Sequence, residues 1–146
     1  MTKIACTGDL HLKLWNDTQY DEKTGLPLKL IEIIQSVKQI CDYCINNNIK
    51  DIIIGGDIND KKNIVDVPAF TEFKKLISSY PDLNFTVLHG NHDSAQYNEY
   101  VSAIQLLSEH PNVKTIMKSI EINGIQYIPH SRHIKEDIIN SNPCKI

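Results

Sequence analysis

Short apolar runs alternate with longer amphipathic stretches along the chain. Lys3–Gly8, Asp51–Gly56 and Asn84–Gly90 are apolar, rich in β-branched residues and bounded by polar residues or glycine, which predicts three β-strands. Between them, apolar residues recur at helical spacing over Leu28–Ile45 and again over Pro68–Tyr80. We therefore expect strand, helix, strand, helix and strand in that order.

The helix ends and the C-terminal third carry further local signals. Pro68 suits a first helical turn, and Asp66 just before it is a candidate cap. Apolar spacing predicts a third helix over Gln96–Glu109 and a short helix over Ile134–Asn140. Asn123-Gly124, between two apolar triplets, is a strong signal for a two-residue β-hairpin.

Alternation of strands and helices implies a parallel sheet, because parallel strands need crossover connections. The fold class predicted is α/β, a layered sheet with helices on both sides. Asp51–Gly56 has the composition of a strand that is buried on both faces. No internal repeat or linker divides the sequence, so residues 1–146 are expected to form a single domain.

Composition narrows the class of protein. With 146 residues, 41% apolar and 23% charged, the chain has the composition of an ordinary globular protein. No apolar run approaches the ~18 residues of a membrane span, and the N-terminus shows no long apolar segment or cleavage signature of a signal peptide. We therefore expect a cytoplasmic protein, located in the host cytoplasm if it is viral. The net charge of −3 gives no basic footprint for nucleic acid. Two divalent ions would reverse its sign, so charge does not exclude a polyanionic substrate.

Two of the four cysteines have the spacing of a redox or zinc motif. Cys41 and Cys44 lie three residues apart inside the first predicted helix, and no second pair completes a zinc site. Buried thiols on one helix face are the favoured interpretation; redox and zinc roles are the alternatives. Cys6 and Cys144 complete the set, and reduced thiols are expected.

Polar residues follow each predicted strand at once. In open α/β sheets, ligands bind beyond the carboxyl ends of the strands. The residues at these ends are Asp9 and His11 after the first strand, Asp57, Asn59 and Asp60 after the second, and Asn91, His92 and Asp93 after the third. Each set begins with a glycine followed by a residue with an oxygen ligand.

Two interpretations compete for these residues. A single Gly-Asp after a strand is commonly a turn or a helix cap. The three sets together favour a metal site. Asp9 and His11 are two residues apart, so on an extended backbone their side chains would point the same way and could bind one ion. Asp57 can bridge two ions, and Asn91 offers a neutral oxygen. Carboxylate, imidazole and amide ligands suit Mn²⁺, Fe or Zn²⁺ better than a thiolate site would. Two such ions can activate water and clamp a phosphoryl group.

The series Asp9-x-His11, Gly56-Asp57 and Gly90-Asn91-His92-Asp93 resembles the first three motifs of the calcineurin-like metallophosphoesterases. Within that superfamily, "GDLHLKLWND" and "GGDINDKKNIVDVPAFTEF" are most similar to the SbcD-type nuclease subunit of DNA-repair nuclease–ATPase complexes, phage versions included. The resemblance extends from about Lys3 to Pro129. It implies that this chain holds the N-terminal half of the family fold.

The resemblance also implies roles for individual residues. Asp9 and His11 would hold the first metal, Asp57 would bridge both metals, and Asn91 would hold the second. His92 would be the general acid, with Asp93 orienting it. These would be two divalent ions, with Mn²⁺ favoured over Mg²⁺, Fe and Zn²⁺. Asp60 stands where many of these nucleases carry a histidine that touches the phosphate, so a substrate-binding role is assigned to it.

The later family motifs are missing from this sequence. They supply three more histidines, including those of a Gly-His-x-His strand end that occurs nowhere here. The other histidines are His89, expected in the third strand; His110, in a surface turn; and His130 and His133, for which exposed loop positions are favoured over ligand roles. Three explanations stay open: a piece of a longer or split nuclease, a short homologue completed by another chain, and a protein without catalysis that binds metal or a partner.

Three functions follow from these interpretations. The leading hypothesis is metal-dependent phosphodiester hydrolysis on DNA, as an exonuclease or endonuclease of recombination or repair. Lys61 and Lys62 are candidate contacts to the DNA backbone or, alternatively, ordinary solvated lysines. The alternatives are hydrolysis of a small or protein phosphoester and a non-catalytic interaction module. The partners considered are DNA, an SbcC-type ATPase subunit, a complementing C-terminal chain and a second copy in a homodimer, and no membrane is expected.

Overall fold

A parallel four-stranded sheet forms the centre of the computed structural model, which describes residues 3–16, 19–95 and 98–141. Its strands are β1 (Ile4–Thr7), β2 (Asp51–Ile54), β3 (Asn84–Leu88) and β6 (Val113–Ile116), adjacent in that order. All three pairings are parallel. The three strands predicted from apolar runs are confirmed, each ending one or two residues before the predicted glycine.

The two long helices lie in the connections between these strands. Helix α1 spans Leu28–Asn46 and helix α2 spans Val67–Ser78, close to the predicted bounds. Successive strands are added in one direction, β1 to β2 to β3. Right-handed crossovers therefore place both helices on the same face of the sheet.

The hydrophobic core fills the space between that face and the helices. Its largest buried side chains include Phe73 from α2, Leu30 from α1, and Ile52, Ile54 and Phe85 from the sheet. Cys41 and Cys44 of α1 are buried in the same cluster, which confirms them as core thiols. Burial raises the pKa of the Cys41 thiol to about 12, with the neighbouring Cys44 adding to the effect. Cys144 lies outside the described residues.

The second face of the sheet differs from the prediction in its cover. The α/β class with a parallel sheet and helices is confirmed, but neither long helix packs on this face. Cys6, Ile53, Thr86 and Lys114 lie side by side across it. A cavity of about 470 Å³ separates the sheet from the chain at Ile122–Tyr127. β2 is consequently buried at Ile52 and Ile54 and only half-buried at Ile53.

The helix predicted over Gln96–Glu109 is wrong. Strands β4 (Ser94–Ala95) and β5 (Asn98–Ser102) form a small antiparallel pair, and a 3₁₀-helix follows over Ala103–Leu107. Ser102 ends the strand and begins the short helix through a capping box with Gln105. The apolar residues keep helical spacing on both sides of this cap, but the cap stops the helix from extending backward. Gln96 and Tyr97 lie outside the described residues.

The predicted hairpin and C-terminal helix are confirmed. Strands β7 (Ile120–Ile122) and β8 (Ile125–Tyr127) are antiparallel, and both turn residues have positive φ, 53° at Asn123 and 77° at Gly124. That is the conformation for which Asn-Gly is selected. Helix α3 spans Ile134–Asn140, as predicted. No helix among the described residues is long and apolar enough to cross a membrane.

Asp66 occupies the N-cap position of α2, but its side chain does not cap the helix. Its Oδ2 instead accepts a hydrogen bond of 2.7 Å from the backbone N–H of Leu14. The carboxylate therefore ties the loop after β1 to the start of α2, and that loop carries the first group of candidate ligands.

Candidate metal centre

The loops after β1 and β2 run side by side at the carboxyl edge of the sheet. The backbone N–H of Asp9 donates to Gly56 O at 3.1 Å, and that of His11 donates to Asp57 O at 2.9 Å. Leu12 and Asn59 form a further parallel bridge. The sheet pairing thus continues beyond the strands and fixes the register of the two loops.

This register brings Asp9, His11 and Asp57 together. Each offers one ligand atom, and the three atoms lie within 4.8 Å of one another. His11 Nε2 is 3.9 Å from Asp9 Oδ1. The side chain of Asp9 is 84% exposed and that of His11 is 33% exposed, so the group opens to solvent. Two carboxylates and an imidazole within reach of one point form a donor set that fits a divalent ion.

The backbone at all three positions has positive φ: 53° at Asp9, 45° at His11 and 53° at Asp57. The prediction that Asp9 and His11 converge on an extended backbone is therefore wrong, although they do converge. Left-handed conformations of residues other than glycine cost free energy and concentrate at functional sites. Here they turn both side chains of the first loop toward the second loop.

Two glycines allow the loop after β2 (the second loop) to touch the loop after β3 (the third loop). A Cβ on Gly90 would lie 2.2 Å from both the backbone N and the Oδ1 of Asp57. A Cβ on Gly56, whose φ is +104°, would lie 2.8 Å from Gly90 Cα. Any side chain at Gly90 would thus push the third loop off Asp57.

His92 lies beside the cluster formed by Asp9, His11 and Asp57. Its backbone N–H donates to Asp57 Oδ1 at 2.8 Å, and its ring packs edge-on against the His11 ring with centroids 4.8 Å apart. Asn91 is held between Gly90 and His92, both of which contact Asp57, so its backbone lies next to the cluster. Metal ligation by Asn91 stays a prediction.

The residue that orients His92 is not the predicted one. His92 Nδ1 lies 2.7 Å from the backbone carbonyl oxygen of Asp60. Because a carbonyl only accepts, Nδ1 carries the proton in this contact, and Nε2 is left as the second ring nitrogen. The Asp60 carbonyl therefore fixes the ring, and the expectation that Asp93 does so is wrong.

The Asp93 carboxylate instead holds the loop after β2 against the loop after β3 through hydrogen bonds. It is 3% exposed, and it accepts backbone N–H bonds from Asp57 at 2.8 Å, Asn59 at 2.9 Å and Gly90 at 3.0 Å. Burial raises the pKa of Asp93, while these three hydrogen bonds act in the opposite direction. The carboxylate thereby locks the second loop to the third, and Asp57 sits at that junction.

The fold and the site agree with a comparison of the whole sequence. The sequence profile of the family described as calcineurin-like phosphoesterase matches residues 2–140. The chain belongs to the calcineurin-like phosphoesterase family. It is also similar to the DNA double-strand break repair protein Mre11 of Sulfolobus acidocaldarius, at 25% identity over 125 residues. That alignment covers 77% of this chain and 32% of the relative, so the chain spans about a third of the relative's length.

Membership of this family agrees with the donor set, because calcineurin-like phosphoesterases use divalent metals. Of the residues predicted as ligands, Asp9, His11 and Asp57 form the cluster among the described residues. His92 adjoins it through Asp57 and His11. The roles assigned to the individual residues stay predictions.

The Asp60 side chain pairs with Lys13 and lies beside the His11 ring. Its Oδ1 accepts from Lys13 Nζ at 3.0 Å and lies 3.8 Å from His11 Nδ1. Substrate binding by Asp60 stays a prediction, and its backbone carbonyl already has a positioning role at His92. The following lysines, Lys61 and Lys62, are exposed.

The other histidines lie outside the metal cluster. His89 directly follows β3 and is buried, with Nδ1 3.0 Å from Ser102 Oγ, and the backbone N–H of His130 donates to its carbonyl. His133 Nδ1 faces Glu136 at 3.3 Å on the surface. His110 lies in a turn, as predicted, where its ring is half-buried with Nδ1 3.3 Å from Ser78 Oγ.

Sequence reasoning missed two residues of this region, Lys13 and Trp15. Lys13 Nζ lies 3.9 Å from the centroid of the Trp15 ring as well as 3.0 Å from Asp60. Both residues follow His11 within four positions. A basic residue and an aromatic residue directly after the first ligand pair were the available signal.

Proposed function

We propose that this protein hydrolyses phosphodiester bonds of DNA at the cluster of Asp9, His11 and Asp57. The observation that carries the proposal is the convergence of these three ligand atoms within 4.8 Å, with His92 bonded to Asp57 beside them. A divalent-ion site flanked by a histidine is suited to phosphoester cleavage. The ion activates water and stabilises the charge on the phosphate, and the histidine can protonate the leaving oxygen.

Asp9, His11, Asp57 and Asn91 would hold the metal. When bound, the ions would supply an activated water and positive charge for the phosphate oxygens. Mn²⁺ is proposed because mixed oxygen and nitrogen ligands of this kind suit it.

His92 is proposed as the general acid that protonates the leaving oxygen. Because the Asp60 carbonyl accepts from Nδ1, the transferred proton would come from Nε2 of the doubly protonated ring, which would leave the neutral Nδ1–H imidazole. The ring is held from two sides, by this hydrogen bond at 2.7 Å and by the edge-on contact with His11. A fixed ring lowers the orientational cost of proton transfer.

DNA is proposed as the substrate because the similar Mre11 protein is named for DNA double-strand break repair. The matched region of that relative is about a third of its length. The partners proposed besides DNA are an ATPase subunit, a complementing C-terminal chain and a second copy of this chain.

The test is cleavage of single- and double-stranded DNA with Mn²⁺, comparing wild type with Asp57→Asn. Asp57→Asn keeps the side-chain size while removing the bridging charge. We expect metal-dependent cleavage by wild type and a loss of at least about a hundredfold in the variant. Equal cleavage by both proteins would refute the proposal. Cleavage of an aryl phosphodiester without cleavage of DNA would shift it to a small-molecule phosphoesterase.

A further inference from the structure

An apolar cavity opens directly beside the metal cluster. Its volume is about 400 Å³, within the range of small-molecule sites. One wall is the loop after β1, including Asp9 and His11, and the opposite wall is the side of α1 that presents Ile33, Val37 and Ile40. Asp9 and His11 thus belong to the proposed metal site and also line this cavity.

Trp15 forms part of the wall and supplies two features that an ordinary apolar cleft lacks. Its indole Nε1 is buried without a hydrogen-bond partner, although a buried N–H is normally paired. Two lysine ammonium groups lie over the ring: Lys29 Nζ at 4.8 Å from its centroid, and Lys13 Nζ, which also pairs with Asp60, at 3.9 Å. A ligand for this cavity would therefore combine a flat apolar body, a hydrogen-bond acceptor and nearby negative charge.

A nucleotide has all three properties in the required order. Its base is flat and carries carbonyl or ring-nitrogen acceptors, and its phosphate lies one sugar away from that base. We propose that the cavity binds a nucleobase of the nucleic acid whose phosphate lies at Asp9, His11 and Asp57. This inference rests on the proposed function and adds a base-binding subsite to it.

The subsite requires that the base leave its stack, because a paired base cannot enter a cavity between a loop and a helix. Contacts from Ile33, Val37 and Ile40 are apolar and do not distinguish one base from another. The expected selectivity is therefore for an unstacked base over an abasic sugar, with little dependence on sequence.

Trp15 is the only tryptophan in the sequence, so its fluorescence reports directly on the cavity. The probe is dAMP, titrated against the protein in the presence of Mn²⁺ while Trp15 emission is followed, with 2-deoxyribose 5-phosphate as the matched ligand that lacks a base. We expect dAMP to change the emission saturably and the sugar phosphate to bind at least about tenfold more weakly.

Two substitutions on α1 separate the cavity from the rest of the surface. Ser36 lines the cavity and is exposed, so Ser36→Phe should fill it without disturbing the core. Gln39 is exposed on the same helix but outside the lining, which makes Gln39→Phe the matched control. Ser36→Phe should weaken dAMP binding at least about tenfold, and Gln39→Phe should leave it unchanged.

The outcomes distinguish the subsite from the proposed function. Equal affinity for dAMP and the sugar phosphate, or unchanged dAMP binding in Ser36→Phe, would overturn the subsite even if DNA is cleaved. Base-dependent binding that Ser36→Phe removes would support the subsite even if the DNA cleavage assay fails.

Discussion

Removal of the Asp93 carboxylate is expected to weaken the fold and to loosen the metal cluster together. Asp93→Ala leaves the backbone N–H groups of Asp57, Asn59 and Gly90 without their acceptor. A buried donor left unpaired costs about 1–3 kcal/mol, and the three costs do not add fully, because water can enter the gap. We expect a loss of about 3–5 kcal/mol in the free energy of unfolding.

In a domain of this size, 1 kcal/mol shifts Tm by about 2–4 °C, so the expected decrease in Tm is about 6–20 °C. Asp93→Asn should lie between wild type and Asp93→Ala, because its amide keeps one acceptor but turns an NH₂ group toward a backbone donor. Asp82→Ala is the matched control, since Asp82 is exposed. Thermal unfolding followed by circular dichroism measures all four proteins.

The same variants test the link from the loops to the cluster. Isothermal titration with Mn²⁺ should show weaker binding by Asp93→Asn than by Asp82→Ala, although neither side chain is a proposed ligand. If Asp93→Ala and Asp82→Ala unfold within about 2 °C of each other, the Asp93 carboxylate does not hold the loops after β2 and β3 together, and the reasoning is refuted.

Two further predictions concern single positions. Gly90→Ala should lower the free energy of unfolding by at least about 2 kcal/mol in urea, because its Cβ would lie 2.2 Å from Asp57. Gly8→Ala is the control and should change stability little, because the nearest atom to its Cβ is 3.4 Å away. Equal stability of the two variants would contradict this reasoning. The Cys41 thiol, with its pKa raised to about 12 by burial, stays protonated at pH 8, so iodoacetamide should modify the exposed Cys6 and leave Cys41 unmodified in native protein. Mass spectrometry of the peptides checks this, and equal modification of both thiols would argue against a buried Cys41.

The sequence predicted the sheet and the ligand cluster because both depend on local pattern. Apolar runs mark β1, β2 and β3, and their carboxyl ends must meet at one edge whatever the details of packing. The grouping of Asp9, His11 and Asp57 followed from that topology alone. The positive φ at these residues was not predictable, since it arises from the pairing of the two loops.

The errors have a common physical origin in contacts between distant segments. The Ser102 cap and the β4–β5 pairing overrode the helical spacing of the apolar residues between Gln96 and Glu109. The family resemblance assigns the orientation of His92 to Asp93, whereas the structure uses the Asp93 carboxylate for backbone donors and the Asp60 carbonyl for His92. A backbone carbonyl has no signature in the sequence.

The most direct test of the central claim is anomalous diffraction from a crystal of this protein soaked in Mn²⁺. The account predicts an anomalous peak within coordination distance of the carboxylates of Asp9 and Asp57 and the imidazole of His11, with Asp57→Asn weakening or removing it. Absence of any peak at these three side chains, in a crystal where they remain accessible to solvent, would contradict the assignment of this cluster as the metal centre.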